Sequence, residues 1–470
     1  MANDERLLIR HAHIVNADKS FESDILVSNG IIRRLAKGIR NKDHAPLREI
    51  DARGLMVFPG GVDPHVHMML PTMAGPSSDN FATGSRAALM GGTTTILDFV
   101  TPTRGMPLSQ ALRSRQQEAA GCMTDYSFHV SPVEWHENMP GEIEACVRAG
   151  LPSFKLYMAY KETVGMDETS IKQAMQAAGK AGGMVLVHCE EGGQIDSLRH
   201  SLAGSGVLSP HAHVLSRPPE TESRAVARAI SMAGETSCPL YIVHVSTAES
   251  IGHIREARTK GQEVWGEVCP HHLLLDVDNY RKDFELSAPC VLSPPLRSSA
   301  HRRALWQALQ EGSIHTVGSD HCPFHFSQKA LGKDDFRKIA NGAGGVEHRM
   351  TLLYTFGVDT GRITVNRFAE LTSAAPARLF GLYPKKGVIA QGSDADLLLW
   401  DTQAEQVISA TTHFQNSDIN IYEGIRTKGR PKVVIAGGRI VAEDGRFLYP
   451  GAGSLLRRKG RLAIPGSQSP

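Results

Sequence analysis

Residues 139–190, MPGEIEACVRAGLPSFKLYMAYKETVGMDETSIKQAMQAAGKAGGMVLVHCE, alternate two amphipathic stretches with two short apolar ones. MPGEIEACVRAG and TSIKQAMQAAGKAGG carry apolar residues at helical spacing and stop at glycine, whereas SFKLYMA and MVLVHCE have the length and apolar character of buried strands. Such alternation predicts βα units around a parallel sheet. Working outward, six more strands of this kind fall near GGVDPHVH (60–67), TTTILDFV (93–100), DYSFHVS (125–131), LYIVHVS (240–246), EVWGEVC (263–269) and HTVGSDH (315–321). Eight is the number that closes a (β/α) barrel, so an α/β fold of the (β/α)8 TIM-barrel type is expected.

Both chain ends read differently. LLIRHAHIVN (7–16) and DILVSNGIIRRL (24–35) at one end, and DADLLLWD (394–401) and PKVVIAGGRIVAEDGRFL (431–448) at the other, are strands; Asn29-Gly30 and Gly437-Gly438 are the turn signals. These strands have no partners except each other. Residues 1–57 and 386–450 are therefore expected to form one small discontinuous β-sandwich domain, and residues 58–385 the catalytic barrel. The stretch 451–470, GAGSLLRRKGRLAIPGSQSP, reads as a basic tail, solvated or draped on a partner.

A chain of 470 residues exceeds what one core usually supports, in line with this division. A formal net charge of +2 offers no field for nucleic acid or an anionic membrane, and points to a small, weakly charged partner. The N-terminal run MANDERLLIRHAHIVN has no signal-peptide core, and no segment has the apolar length of a membrane span. Seven cysteines scattered singly, without a CxxC pair, are expected as buried small hydrophobes in a reducing cytoplasm.

The histidines carry the chemistry. His65 and His67 lie two apart at the end of the first barrel strand, so the period of two turns both imidazoles to one side. Alone this pair says little, but His188, His244 and Asp320 end the fifth, sixth and eighth strands. All five thus share the C-terminal face, where barrel enzymes keep their active sites. Imidazole and carboxylate suit zinc or a similar divalent ion. Lys155, on the fourth strand, is expected to face inward, where burial beside cations would leave its amine neutral and able to form a carbamate with carbon dioxide. Two other readings stand beside it, a lysine capping a loop and one pairing a carboxylate.

Taken together, VDPHVH, FKLYMAYK, VHCE, VHVS, GSDHCPF, SPPLR, NGAGGVEHR and GVIAQGSDADLLLWD resemble the dihydropyrimidinase and D-hydantoinase family of cyclic amidohydrolases, over nearly the whole chain. The resemblance implies two divalent ions, zinc by donor type, held by His65 and His67 on one side and His188 and His244 on the other. It makes Lys155 a carboxylated lysine bridging both ions. Asp320 completes the first site and serves as general acid and base. Tyr160 donates its hydroxyl to the developing oxyanion, and the backbones of Ser293 and Asn341 hold the ring imide. The reaction implied is hydrolysis of 5-substituted hydantoins or dihydropyrimidines to N-carbamoyl amino acids by an activated water, in a homotetramer or homodimer.

Three local readings go with this. Met68, Met69, Leu70 and Met73 form either an apolar wall for the ring substituent or ordinary packing under a loop. Glu191 stands where family members commonly carry Asn and is read as a loop residue, while Cys189, His271 and His272 are read as packing or supporting residues. Competing identities are an allantoinase- or dihydroorotase-like enzyme and a catalytically silent relative like the collapsin response mediator proteins, which lack the metal ligands.

Overall fold

The computed structural model describes residues 6–40, 46–448, 451 and 453–459. From the N-terminus, β1 (Leu7–Val15), β2 (Ser20–Ser28), β3 (Ile31–Ala36), β4 (Arg48–Asp51) and β5 (Met56–Pro59) precede the barrel. The barrel strands follow as β6 (Gly61–Asp63), β7 (Thr93–Val100), β8 (Asp125–Val130), β9 (Ser153–Tyr157), β10 (Met184–His188), β11 (Leu240–Ile242), β12 (Val264–Val268) and β13 (Thr316–Val317). The chain ends with β14 (Leu397–Val407), β15 (Arg426–Ala436), β16 (Arg439–Glu443) and β17 (Arg446–Phe447).

Strands β6 to β13 form one eight-stranded sheet in sequential order, with each of its strand pairs parallel. Its two edges meet just beyond the strand ends, where Val66 bridges His321 and the His67 N–H donates to the His321 carbonyl at 2.7 Å. The eight runs read from sequence are these eight strands. Helices Met139–Arg148 and Glu168–Lys180 occupy the two amphipathic stretches quoted at the outset.

Side-chain alternation sorts the barrel. Phe154, Leu156, Val185, Val187, Leu240 and Ile242 join the large core shared with the helices. Their neighbours Leu97, Leu186, Tyr241, Val243 and Trp265 pack instead with Phe380 and Leu456 in a separate cluster, the barrel interior. Lys155 pairs in register with Leu186, so it shares the interior parity and is buried.

The remaining nine strands form a mixed sheet in the order β17-β16-β15-β14-β5-β1-β2-β3, with β4 also on β1. Strands from both ends of the chain thus join through β5 and β14, which pair antiparallel from Met56 to Pro59. Ile9, Ile25, Val27, Val57, Leu397, Leu399, Val433 and Ile435 form a core of their own. Both turns expected from sequence are present. Asn29 and Gly30 at φ 52° and 72°, and Gly437 and Gly438 at φ 54° and 77°, have the left-handed geometry of a two-residue hairpin turn. The two turns come together: the Ala395 N–H donates to the Gly30 carbonyl, and the Gly438 N–H to the Ala395 carbonyl.

One expectation changes. The described part of the tail lies along its own barrel while Ser454, Arg457 and Lys459 stay exposed: the Tyr126 N–H donates to the Ser454 carbonyl and the Leu456 N–H to the Tyr126 carbonyl, beside β8. Arg458 is buried and donates to Ser127 Oγ at 2.9 Å, Ser153 Oγ at 2.7 Å and the Phe128 carbonyl. Leucines at 455 and 456 supply apolar contact that the basic composition of the segment concealed. Residues 460–470 lie outside the described residues.

Candidate active site

His188 closes β10 two residues after Leu186, so the strand's own alternation carries its ring into the barrel mouth. His244 follows Val243, an interior residue, and unbroken alternation would turn it outward. Its backbone is left-handed instead, at φ 38°, which brings its ring against His188 with centroids 4.7 Å apart. Asp320 and Tyr160 are likewise left-handed, at φ 48° and 60°. A non-glycine residue in that region costs on the order of 1 kcal/mol or more, and such strain concentrates where function fixes geometry. Three of the nine residues singled out from sequence carry it.

Two donor sets face each other. In one, His65 Nε2 lies 3.2 Å from His67 Nε2, and Asp320 Oδ1 is 3.1 Å and 3.3 Å from the two nitrogens. In the other, His188 Nδ1 lies 3.0 Å from His244 Nε2. The rings of His65 and His244 are 5.5 Å apart, so the sets are adjacent.

A carboxylate behind one ring of each set fixes that ring's tautomer. Glu267 Oε1 is 2.7 Å from His65 Nδ1, and Glu190 Oε2 is 2.8 Å from His188 Nε2. A carboxylate accepts, so each of those nitrogens carries the proton, and the opposite nitrogen offers its lone pair to the site. Burial pushes the pKa of His67 and His188 down, and that of His244 well down, which keeps the rings neutral. Converging lone pairs beside a carboxylate repel one another unless a cation lies among them. The donor chemistry therefore fits metal ions.

Lys155 is fully buried beside these sets, with Nζ 5.2 Å from the ring centres of Phe99 and Tyr157. Burial lowers its pKa to about 8, against the opposing pull of Asp320 and Glu267. Among the described residues its amine makes neither the loop-capping bond nor the close carboxylate pair that were the alternatives. The Tyr160 ring lies tilted against His188 with centroids 5.3 Å apart, and the side chains of Ser293 and Asn341 lie against its hydroxyl. Burial raises its pKa, so the phenol keeps its proton at neutral pH. All nine singled-out residues thus gather at one end of the barrel.

Sequence reasoning missed the supports. Glu267 accepts from His65 Nδ1, from the His244 N–H at 3.2 Å and from the Tyr241 hydroxyl at 2.9 Å, and so fixes a residue of each donor set. Its signal was present: an acid in the middle of the apolar strand VWGEV, at interior parity. Glu190 is paired with Arg217 at 2.6 Å, which together with His188 overcomes burial and holds its pKa at about 2.

Some local readings change. Glu191 is a loop residue as expected, between β10 and helix Gly192–Gly204, but a tethered one: it pairs with Arg224 and Arg228 on helix Pro219–Thr236. Met68 is a core residue, Leu70 packs on Cys322 and Phe324, and Met73 stands 93% exposed, so the four residues do not form one wall. Cys189 is buried as expected, and so are His271 and His272, of which His272 Nε2 lies 3.0 Å from the Pro294 carbonyl.

The model of the amidohydrolase family matches residues 56–441. The chain is 41% identical over 465 residues to D-hydantoinase of Geobacillus stearothermophilus, covering 98% of both chains. It is 40% identical over 466 residues to dihydropyrimidinase of Rattus norvegicus, covering 98% of this chain and 90% of that one. The crystal structure of dihydropyrimidinase from Brevibacillus agri superposes with a TM-score of 0.96 at 38% identity, covering 98% of this chain and all of that one. The chain therefore belongs to the amidohydrolase family, in its dihydropyrimidinase and D-hydantoinase branch.

Proposed function

We propose that this protein is a metal-dependent hydrolase that opens cyclic ureides and imides, 5-substituted hydantoins or dihydropyrimidines, to N-carbamoyl amino acids. The observation that carries it is the pair of facing, tautomer-fixed donor sets with the neutral-prone Lys155 beside them. His65, His67 and Asp320 would hold one divalent ion and His188 and His244 the other, with Lys155 as a carbamate between them; nitrogen and oxygen donors favour zinc. When bound, the two ions lower the pKa of water and polarise a carbonyl.

The chain's own groups supply the rest. Asp320 accepts a proton from the attacking water at a carboxylate oxygen and returns it to the ring nitrogen as the C–N bond breaks, so that nitrogen need not leave as an amide anion. Tyr160 donates its hydroxyl to the oxygen on which negative charge grows. Ser293 and Asn341 are half-buried, Ser293 between two buried residues and Asn341 between buried Ala340 and half-buried Gly342, and among the described residues their main-chain carbonyls accept no hydrogen bond. The carbonyls around them are committed. Those of Val291, Leu292 and Pro294 accept from Lys329, His213 and His272, and those of Ala340 and Gly342 accept from Lys329. Two free carbonyls beside Tyr160 suit the N–H groups of a ureide ring.

Seven free, buried cysteines support a reducing compartment such as the cytoplasm. Among the described residues, no helix is long and apolar enough to cross a membrane.

The test is a hydrolysis panel of dihydrouracil, hydantoin, 5-substituted hydantoins of both hands, allantoin, dihydroorotate and simple cyclic imides, run on protein of known metal content and after chelation. Ring opening of hydantoins or dihydrouracil that chelation abolishes is expected. Preference for allantoin or dihydroorotate would overturn the substrate assignment, and metal-free protein inert on every ring would favour a scaffold.

A further inference from the structure

Lys329 is buried on helix Phe326–Ala330, with no carboxylate partner among the described residues. Its Nζ donates to three carbonyls: Val291 at 2.9 Å, Ala340 at 2.6 Å and Gly342 at 2.7 Å. Burial by itself pushes this amine down to about 7. An ammonium has three protons, however, and each meets an acceptor here, which favours the charged form and makes the bonds charge-assisted. The three acceptors belong to two segments that lie about fifty residues apart in sequence and touch through one further bond, from the Gly342 N–H to the Val291 carbonyl at 3.0 Å. One segment carries Ser293 and the other Asn341.

With Ala340 and Gly342 both bonded to Lys329, the carbonyl between them, on Asn341, accepts no hydrogen bond among the described residues. Around Ser293, whose peptide bond to Pro294 is cis, His213 Nε2 lies 2.8 Å from the Leu292 carbonyl and His272 Nε2 lies 3.0 Å from that of Pro294, and the Ser293 carbonyl likewise accepts none among the described residues. Helix Phe326–Ala330 is itself tied down, since Gln328 donates to the carbonyls of Ala74 and Pro76, each at 3.0 Å, in the loop after β6.

We propose that Lys329 is a positioning residue for the ring: it is the hub that clamps the segments of Ser293 and Asn341 so that their two free carbonyls stand ready for the substrate's N–H groups. This rests on the proposed ring-binding role of those carbonyls. Bonds from ring N–H groups to fixed carbonyls exist in the ground state and the transition state alike, so loosening the clamp weakens uniform binding and raises KM more than it lowers kcat. The activated ester para-nitrophenyl acetate has no such N–H groups and does not depend on the clamp for its grip.

The experiment compares the metal-loaded protein with Lys329→Met, which keeps the stem volume and removes all three donors, and Lys329→Gln, which keeps part of them. Lys329→Met is expected to raise KM for dihydrouracil or hydantoin about tenfold, and to lower the kcat/KM ratio of ring substrate to ester by a similar factor, at unchanged metal content. Lys329→Gln should fall between Lys329→Met and the unaltered protein. Equal losses on ring and ester, an unchanged KM, or aggregation of both variants would overturn the clamp, since each makes Lys329 a residue of the core alone. If the unaltered protein opens no ring, the functional reading itself fails and the clamp falls with it; an active unaltered protein with indifferent variants removes the clamp only.

Discussion

Tyr160 shows how one residue combines strain, burial and placement. Its backbone sits at φ 60°, its ring lies tilted against that of His188, and Arg217 lies 5.5 Å from its ring centre. In the proposed ring opening, a protonated phenol held there would donate to the oxygen that becomes negative. Tyr160→Phe is expected to keep KM and metal content while kcat falls by about a hundredfold or more, the usual loss when one oxyanion donor is removed. Steady-state kinetics at matched metal content check it, and an unchanged kcat would take the phenol out of the chemistry. At the same scale, Glu267 and Glu190 show what residue type alone conceals. Each was visible as an acid on or beside an apolar strand, yet its partner could not be named, because His65 is 202 positions from Glu267 along the chain.

Among the elements, the segment 453–459 departs most from its composition. Arg457, Arg458 and Lys459 suggested a solvated tail, but Ser454 and Leu456 bond Tyr126 of β8, and Arg458 enters the barrel floor among Ser127, Phe128 and Ser153. Burial lowers the Arg458 pKa to about 9, and among the described residues it has no carboxylate partner. Removing the segment would uncover Tyr126 and the interior cluster that Leu456 joins, and leave the three Arg458 acceptors without their donor. Truncation after residue 452 is expected to cost about 3 kcal/mol or more, by lost apolar burial and lost charge-assisted bonds. Urea unfolding measures it, and an unfolding midpoint equal to that of the full chain would show that the segment only rests on the barrel.

For the whole molecule, buried histidines set the dependence of stability on pH. His213, His315 and His348 are each pushed down to about 3, chiefly by burial. The unfolded chain protonates them near 6.5 and the native state only near 3, so the unfolded state binds more protons in between. Their contribution is fully present above about 6.5 and is lost as pH falls toward 3. Glu347 opposes them: burial raises it to about 8, so its contribution is present below about 4.5 and lost as pH rises through 8. Three groups outweigh one, and the urea midpoint is expected to peak near neutrality and drop steeply between pH 6.5 and 4. A midpoint level across that interval would contradict the neutral, buried state of the three rings.

By itself the sequence determined the eight barrel strands, the two hairpin turns, the sharing of the second sheet by both chain ends, and the inventory of His65, His67, Lys155, His188, His244 and Asp320 at one end of the barrel. Those features follow from periods of two and 3.6 residues and from turn chemistry, which act over a few positions of chain. Only the tertiary structure decided the left-handed turn of His244, which reverses the direction that alternation assigns. It also decided the tautomers fixed by Glu267 and Glu190, the seating of Arg458 in the barrel floor, and the two carbonyls left free at Ser293 and Asn341. Apart from the backbone of His244 and the neighbouring pair His188 and Glu190, these depend on groups tens to hundreds of residues apart, whose meeting no local pattern records.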